Sequence, residues 1–424
     1  MDTISLIILV VVILMAYRFK INPGILGVGA AFILGFFLFE PTASGTMVAF
    51  SSSIVKAKTV LAGWNSSLFI ILTGVSFLFS MARENGTLSA ITGRAIYLTK
   101  GNKKLLPVVF FALALFVSAV GPGSLATGVL LYPICGALAF KEKMNPLILM
   151  LAVHAGVSCG GTSPLAPTGI IGINVAAANG VDIGYSIFYN LVVGFAILFA
   201  AIYLAFGGPK LRPMDETVEF EKQEPLNRAQ IATLTVIGLM IAAVIWGKLD
   251  VGLCAFAASG ILLVLKAADE KASFAGVPWN TFIMVCGMGV LVNIVILAGG
   301  IAYLTEVLRN IMTGGTAAPI FVVISVLLGC VSSASGVVLP TLIPAAIQMA
   351  AKLGIDANPL VVAVSYGAHL AAPSPFNPAG AWMLIFADSS IDKSKMFLHL
   401  IYVVIGSTVL GALVMAVKVV GYLI

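Results

Sequence analysis

The sequence predicts an all-α polytopic membrane protein of two inverted repeats, each holding a re-entrant hairpin and a broken transmembrane helix. Three observations lead there. The first is composition. Of 424 residues, 60% are hydrophobic and 9% charged, with a mean hydropathy of +1.11. Soluble domains carry about 25% charged residues, so lipid is the solvent that suits this chain. The second is a set of short motifs that recur in the same order in both halves. The third is a pair of apolar runs too long for one helix, each interrupted near its middle.

Taken in order, the apolar spans are 3–17, 23–41, 65–81, 105–140, 146–178, 185–207, 229–246, 251–267, 279–298, 316–351, 359–387 and 397–423. Most approach the 20 residues needed to cross a hydrocarbon core of about 30 Å. The first has no basic region before it and no small-residue cleavage site after it, so it is expected to be a transmembrane helix rather than a signal peptide. The long polar stretch from Gly208 to Gln230 separates two halves. The expected division is 1–207 for the first repeat, 208–228 for a cytoplasmic linker and 229–424 for the second repeat.

The halves match at three places. Trp64-Asn65 opens a span with Gly74 ten residues on, and Trp279-Asn280 does so with Gly289, a shift of 215 (279 − 64). Ser163-Pro-Leu-Ala-Pro-Thr-Gly169 recurs as Ser374-Pro-Phe-Asn-Pro-Ala-Gly380, a shift of 211 (374 − 163). Asn145-Pro146-Leu147 recurs as Asn358-Pro359-Leu360, a shift of 213 (358 − 145). Ordered self-similarity of this kind is the mark of an internal duplication.

Residues 105–140 are broken by Gly121-Pro122-Gly123-Ser124, and residues 316–351 by Ser332-Ser333-Ala334-Ser335-Gly336. Each arm is about 15 residues, short for a crossing, so a hairpin that enters and leaves on one side is expected, with a kinked helix as the alternative. The next spans, 146–178 and 359–387, are interrupted by Gly160-Gly161-Thr162-Ser163-Pro164 and Ala372-Pro373-Ser374-Pro375. Proline removes a donor and clashes with the preceding turn, so both should unwind there. Irregular backbone at membrane depth is tolerated only where it is buried in protein or lines a cavity.

Lys/Arg counts orient the chain. Placing Arg18, Lys20, Arg83, Arg94, Lys100, Lys103, Lys104, Lys141, Lys143, the basic residues of the central loop, Lys393 and Lys395 in the cytoplasm threads it consistently. Both termini then lie outside, and the two hairpins enter from opposite sides. Lys56, Lys58 and Lys248 fall on the wrong side of this scheme. The net charge of +6 comes from loop residues that report topology rather than a nucleic-acid partner. Cys135, Cys159, Cys254, Cys286 and Cys330 form no CxxC pair and read as small apolar residues.

Four symmetric breaks can bring half-helix N-termini and unwound carbonyls to one place, where the former attract anions and the latter ligate a cation. The expected substrate contacts are Ser124, Thr127, Thr162, Ser163, Ser335, Ser374 and Asn377, with Thr168 beside them. One Na+ site is expected near Ser118, Gly123, Ser124 and Gly161, and its twin near Ser332, Ser333, Ser335 and Ala372. No Asp, Glu, Lys or Arg falls inside either hairpin or either broken span, so His154 and His369 are the titratable candidates there for proton or substrate binding. An anion would meet helix ends, hydroxyls and bound Na+ rather than Arg or Lys.

At these breaks the sequence resembles the divalent anion:sodium symporters of the ion-transporter superfamily, and within them the MatC-like malonate/dicarboxylate carriers. That family carries Ser-Asn-Thr at each hairpin tip, about ten residues before a proline. Counting back from Pro133 and Pro344 gives Gly123-Ser124-Leu125 and Ala334-Ser335-Gly336, neither of them Ser-Asn-Thr, with a serine at the central position of both. The resemblance implies a multi-pass protein of the cell inner membrane, Na+ as the co-transported ion, no organic cofactor, a small dicarboxylate-like anion as substrate, a homodimer and an elevator-type movement. The competing readings are a proton-coupled anion transporter, an ion antiporter or exporter of the same superfamily, a channel, and an intramembrane enzyme. An antiporter calls for carboxylates at the breaks. An enzyme calls for a nucleophile–base pair or a metal cluster, and HExxH is not present.

Overall fold

The computed structural model describes residues 2–36, 60–97, 102–211, 224–247, 249–330, 332–387 and 391–423. The end of the second expected span, Lys56, Lys58, Lys100, Lys248, most of the central linker and the reading of their charges lie outside the described residues. Among the described residues there are α-helices and no strand. The chain is an all-α polytopic membrane protein.

The first half contributes α1 (Asp2–Phe19), α2 (Pro23–Phe36), α3 (Ser66–Glu84), α4 (Thr87–Tyr97), α5 (Leu105–Val120), α6 (Gly123–Lys141), α7 (Pro146–Gly160), α8 (Pro167–Ala178) and α9 (Ser186–Ala205). After the central stretch come α10 (Arg228–Ile245), α11 (Val251–Val264), α12 (Glu270–Ala275), α13 (Trp279–Leu297), α14 (Gly300–Arg309), α15 (Ala317–Gly329), a π-turn (Ala334–Val338), α16 (Leu339–Leu353), α17 (Asn358–Leu370), α18 (Pro378–Phe386) and α19 (Lys393–Ala416). Among the described residues, six elements are long and apolar enough to cross a bilayer, and they fall at corresponding places, three per half: α3, α6 and α9, then α13, the π-turn with α16, and α19.

Both doubled spans are hairpins. Lys103, just before α5, puts Nζ 3.1 Å from Oε2 of Glu142, just after α6, and 3.1 Å from its carbonyl oxygen. A chain that crossed the membrane between these residues would hold them some 30 Å apart. In the second half, a Cβ on Gly314 would touch Ile355, so the ends of α15 and α16 also meet. The kinked-helix alternative is thereby excluded.

The broken spans are clasped alike. Gly169 N–H donates to the Gly161 carbonyl at 3.0 Å, and Gly380 N–H to the Ala372 carbonyl at 3.2 Å. A side chain on Gly169 would strike the Thr162 and Ser163 carbonyls, and one on Gly380 the Pro373 and Ser374 carbonyls. Only glycine fits at either position.

Packing repeats with the same spacing. α5 lies along α7, and α15 along α17. Small residues let these backbones approach: Gly156 sits against Phe111 and Ala114, and Gly367, 211 positions on (367 − 156), sits against Val322 and Ser325. The remaining pairing is crosswise. α2 of the first half packs on α13 of the second, and α11 of the second on α3 of the first. The two halves are thus interlocked rather than set side by side.

Three short helices, α4, α12 and α14, were not among the expected spans. α14 buries Ile301 and Thr305 one turn apart and exposes Glu306 and Arg309. Lys352, at the end of α16, ties to Glu306 at 2.7 Å and holds its carboxyl below the usual carboxylate range. Such amphipathic pieces are too polar for a hydropathy window to register.

Candidate functional site

The hairpin tips and the helix breaks meet at two adjoining cavities. One, about 340 Å³, is lined by Ser124, Thr168, Ser332, Ser333, Ser335, Asn377, His154, His369 and Ala372 among others. The second, about 380 Å³, shares Ser124, Thr168, Thr281, Ser335, Pro378 and Trp382, and continues past Gly123 to Ser76, Ser80 and Arg83. The N-terminal turns of four half-helices face this shared space: Gly123 and Ser124 of α6, Pro167 and Thr168 of α8, Ala334 and Ser335 of the turn leading into α16, and Pro378 and Ala379 of α18. Pro167 and Pro378 stand first in their helices, where a missing N–H costs nothing and φ is already helical. The positive dipole ends of four helices therefore converge on one volume.

The two tips are held differently. At the first, Gly121 (φ +152°) and Gly123 (φ +72°) make a tight turn. Ser118 Oγ and Ser124 Oγ both donate to the Val157 carbonyl of α7, at 3.1 and 2.8 Å. Gly161 N–H donates to the same oxygen at 2.8 Å. Gly161 itself touches Ser124 Oγ, and any side chain there would displace it. The sequence-predicted group of Ser118, Gly123, Ser124 and Gly161 is thus a real spatial cluster. Its hydroxyl oxygens keep lone pairs for a hard cation.

At the second tip the direction of bonding reverses. Asn377 of the break donates to the Gly329 and Ser332 carbonyls of the hairpin, at 3.1 and 3.2 Å, while its Oδ1 accepts from Ala379 N–H at 3.3 Å. Ser374 Oγ donates to Cys330 O at 3.4 Å. Ser333 caps the π-turn by accepting from Gly336 N–H at 3.2 Å and lies 3.4 Å from Ser335 Oγ. That contact is between hydroxyls, so the Ser335 side chain holds no backbone group.

The other expected residues divide. Thr162 Oγ1 donates back to Cys159 O at 2.7 Å, and Ser163 Oγ accepts from Leu165 N–H at 3.2 Å, so both shape the break without facing the cavity. Thr127 is fully buried with no hydrogen-bond partner for its hydroxyl, one turn behind the wall. Ser374 lines a separate apolar cavity between α15 and α19. Ala372 is on the wall, and its carbonyl already accepts from Gly380 N–H.

His154 and His369 both reach the cavity. His369 Nδ1 lies 2.7 Å from Ser365 O, which makes Nδ1 the protonated nitrogen. His154 Nδ1 lies 3.3 Å from Ser158 Oγ, and its Nε2 is buried without a partner. The pairs are reversed copies, since a shift of 211 carries His154 to Ser365 and Ser158 to His369 (365 − 154; 369 − 158).

Sequence reasoning missed several wall residues. Tyr132 is buried with an unpartnered hydroxyl and its ring 6.4 Å from that of Trp382. It directly precedes Pro133, the proline from which the tip was counted. Thr281 follows the repeated Trp-Asn pair. Arg83 corrects a stated expectation. It lies outside both hairpins and both broken spans, yet lines the cavity, so the wall does carry a guanidinium. Only the packing of α3 against α8 and α11 brings it there.

Residues 1–161 match the family described as Dicarboxylate carrier protein MatC N-terminus. No curated protein matches the chain. Two solved structures are similar over almost its whole length. The YdaH transporter of Alcanivorax borkumensis aligns with a TM-score of 0.61 at 13% identity, covering 98% of both chains. MtrF of Neisseria gonorrhoeae, from a class of antimetabolite efflux pumps, aligns with a TM-score of 0.58 at 14% identity, covering 97% of this chain and 94% of that one. All three are membrane transport proteins, not enzymes. The chain is therefore similar in sequence to dicarboxylate carriers over its first 161 residues, and has a transporter fold throughout.

Proposed function

We propose that this protein is a secondary carrier for a small carboxylate, dicarboxylate-like in size, working by alternating access and coupled to Na+. The observation that carries the reading is the convergence of four half-helix N-termini and the hydroxyls of Ser124, Thr168 and Ser335 on one cavity. Helix ends of this kind stabilise an anion by about 0.3–1 kcal/mol each when exposed and up to about 2 kcal/mol when partly buried. Hydrogen bonds to a charged group add roughly 1.5–3 kcal/mol each. A small mono- or dianion is held by such a set, and a cation is repelled by it. The similarity of the first 161 residues to a dicarboxylate carrier points the same way.

Na+ coupling rests on the oxygen cluster at the first tip, where Ser118, Ser124 and the Val157 carbonyl lie together without a carboxylate. The second Na+ site would use Ser332, Ser333 and Ser335. In this reading the duplicated halves are inverted repeats, the hairpins enter from opposite faces of the inner membrane, and the clasped breaks move with them as an elevator within a homodimer. The similarity to MtrF, from a class of efflux pumps, favours keeping export as the direction to test against uptake. Proton coupling through His154 and His369 is the second reading, because both line the cavity and one ring nitrogen lacks a partner.

The test is uptake of malonate and succinate into proteoliposomes with imposed Na+ or pH gradients. Accumulation that follows the Na+ gradient is expected. Accumulation that persists without Na+ and follows the pH gradient would promote the histidines, and movement of cations or neutral solutes alone would end the carboxylate reading.

A further inference from the structure

We infer that the stripe Ser76–Ser80–Arg83 on α3 is an anion-capture station, a cationic vestibule that concentrates the substrate before it reaches the hairpin tips. This rests on the carboxylate-carrier reading and assigns the entry path and its specificity determinant. The three residues lie four and three apart, so they share one face of α3, and all three line the cavity that continues to Gly123, Ser124 and Ser335. Arg83 has no carboxylate within ion-pair distance among the described residues. Its Nη2 donates to the Gly276 carbonyl at 3.2 Å. A guanidinium has five donors, so most of its hydrogen-bonding capacity remains open.

Ser80 supplies an independent sign. It is 5% exposed, its hydroxyl has no hydrogen-bond partner, and it lines the same cavity. Buried polar atoms are nearly always satisfied, and an orphan calls for a ligand or water. Gly276 makes the arrangement possible, because a side chain there would overlap both Ser80 Oγ and Arg83 Nη2.

The stripe also breaks the internal symmetry. The shift of 215 that relates α3 to α13 carries Ser76, Ser80 and Arg83 to Leu291, Val295 and Ala298 (291 − 76; 295 − 80; 298 − 83). Leu291 and Val295 are fully buried in an apolar core. Duplication explains what the halves share and does not explain a polar stripe on one of them. A helix-terminal arginine that only marks topology would turn outward to the headgroups. This one faces inward along a continuous cavity. A lone positive charge in a cleft with apolar walls raises the local concentration of anions by an order of magnitude or more at low salt.

The experiment compares Arg83→Gln, Arg83→Lys, Ser80→Ala and Ser124→Ala with wild type in proteoliposomes. It measures KM and kcat for malonate at low and high ionic strength, with thermal unfolding of each purified variant. Arg83→Gln should raise KM about five-fold or more at low salt, leave kcat within about two-fold, and flatten the salt dependence of KM. Arg83→Lys should restore most of the salt dependence, because it keeps the charge. Ser80→Ala should raise KM by about two-fold. If Arg83→Gln folds and keeps both the wild-type KM and its salt dependence while Ser124→Ala is impaired, the vestibule is wrong and the carrier reading stands. If Arg83→Gln and Arg83→Lys are both merely unstable, with KM unchanged in the folded fraction, the residue serves the helix end and the inference also fails. If wild type moves no carboxylate, both fall together.

Discussion

The two hairpin tips occupy equivalent places yet are secured in opposite senses. The first is a Gly-Pro-Gly turn whose serines donate to the broken helix, with Ser118 and Ser124 both on the Val157 carbonyl. The second is a serine-rich π-turn held from the other side, with Asn377 of the broken helix donating to two hairpin carbonyls. The shift of 211 makes the exchange explicit: Ser118 corresponds to Gly329, and Asn377 to Ala166. Each half ties its hairpin to its broken helix, but the donating side chains have moved, from Ser118 and Ser124 of the hairpin in the first half to Ser374 and Asn377 of the break in the second. The tie is what the architecture requires, and its chemistry is free to vary. A further consequence is that Ser124 serves structure and cavity together, whereas Ser335 is left to the cavity.

Substitutions at the tips can break this comparison. The largest effect is expected at Gly121. Its φ of +152° and its contact with the Phe79 ring both exclude a side chain. Gly121→Ala should cost about 1–3 kcal/mol by overpacking alone and abolish transport. Gly336→Ala at the other tip meets the Met284 side chain from Cγ to Cε, which can shift, so its melting temperature should fall less. Equal losses at the two positions would mean that the tips are equally rigid and the contrast is false.

Next in size is Asn377→Ala. It strips a donor from two carbonyls and the cap from α18, which predicts a loss of about 1–3 kcal/mol and a clear fall in melting temperature. An unchanged melting temperature would show that the second hairpin is held by packing alone.

A sharper contrast comes from the two serines. Ser124→Ala should lower both stability, by about 0.5–1.5 kcal/mol, and uptake. Ser335→Ala should lower uptake several-fold with little change in melting temperature, because its hydroxyl holds no backbone group. If both variants transport like wild type, the tips are not the binding site.

The smallest effect is expected at His154→Gln, which keeps an acceptor and donor in a similar volume. Under Na+ coupling, uptake should stay within about two-fold of wild type. Loss of gradient-driven accumulation with exchange intact would move the coupling from Na+ to the histidines.

The hairpins and breaks were legible in the sequence for a simple reason. In a bilayer every irregular backbone segment must be signalled by residues that permit it, and here Gly121-Pro122-Gly123, Ser332–Gly336 and the two Pro-x-x-Pro stretches stand out against an apolar background. The clustering of Ser118, Ser124 and Gly161 followed from the same logic, since a tip and a break of matched depth must meet.

Sequence by itself determined the apolar solvent, the order of spans, the duplicated motifs and the positions of the four breaks, because each is set by local composition and by the demand that backbone polar groups be satisfied. Only the tertiary structure decided which hydroxyls face the cavity. Thr162, Ser163 and Ser374 carry the same chemistry as Ser335, but turn to carbonyls or amides within reach. Only the structure brought α3 of the first half against α11 of the second, and with it Arg83 to the mouth of the site. Side-chain direction and helix-to-helix contact depend on residues far apart in the chain, and no local pattern encodes them.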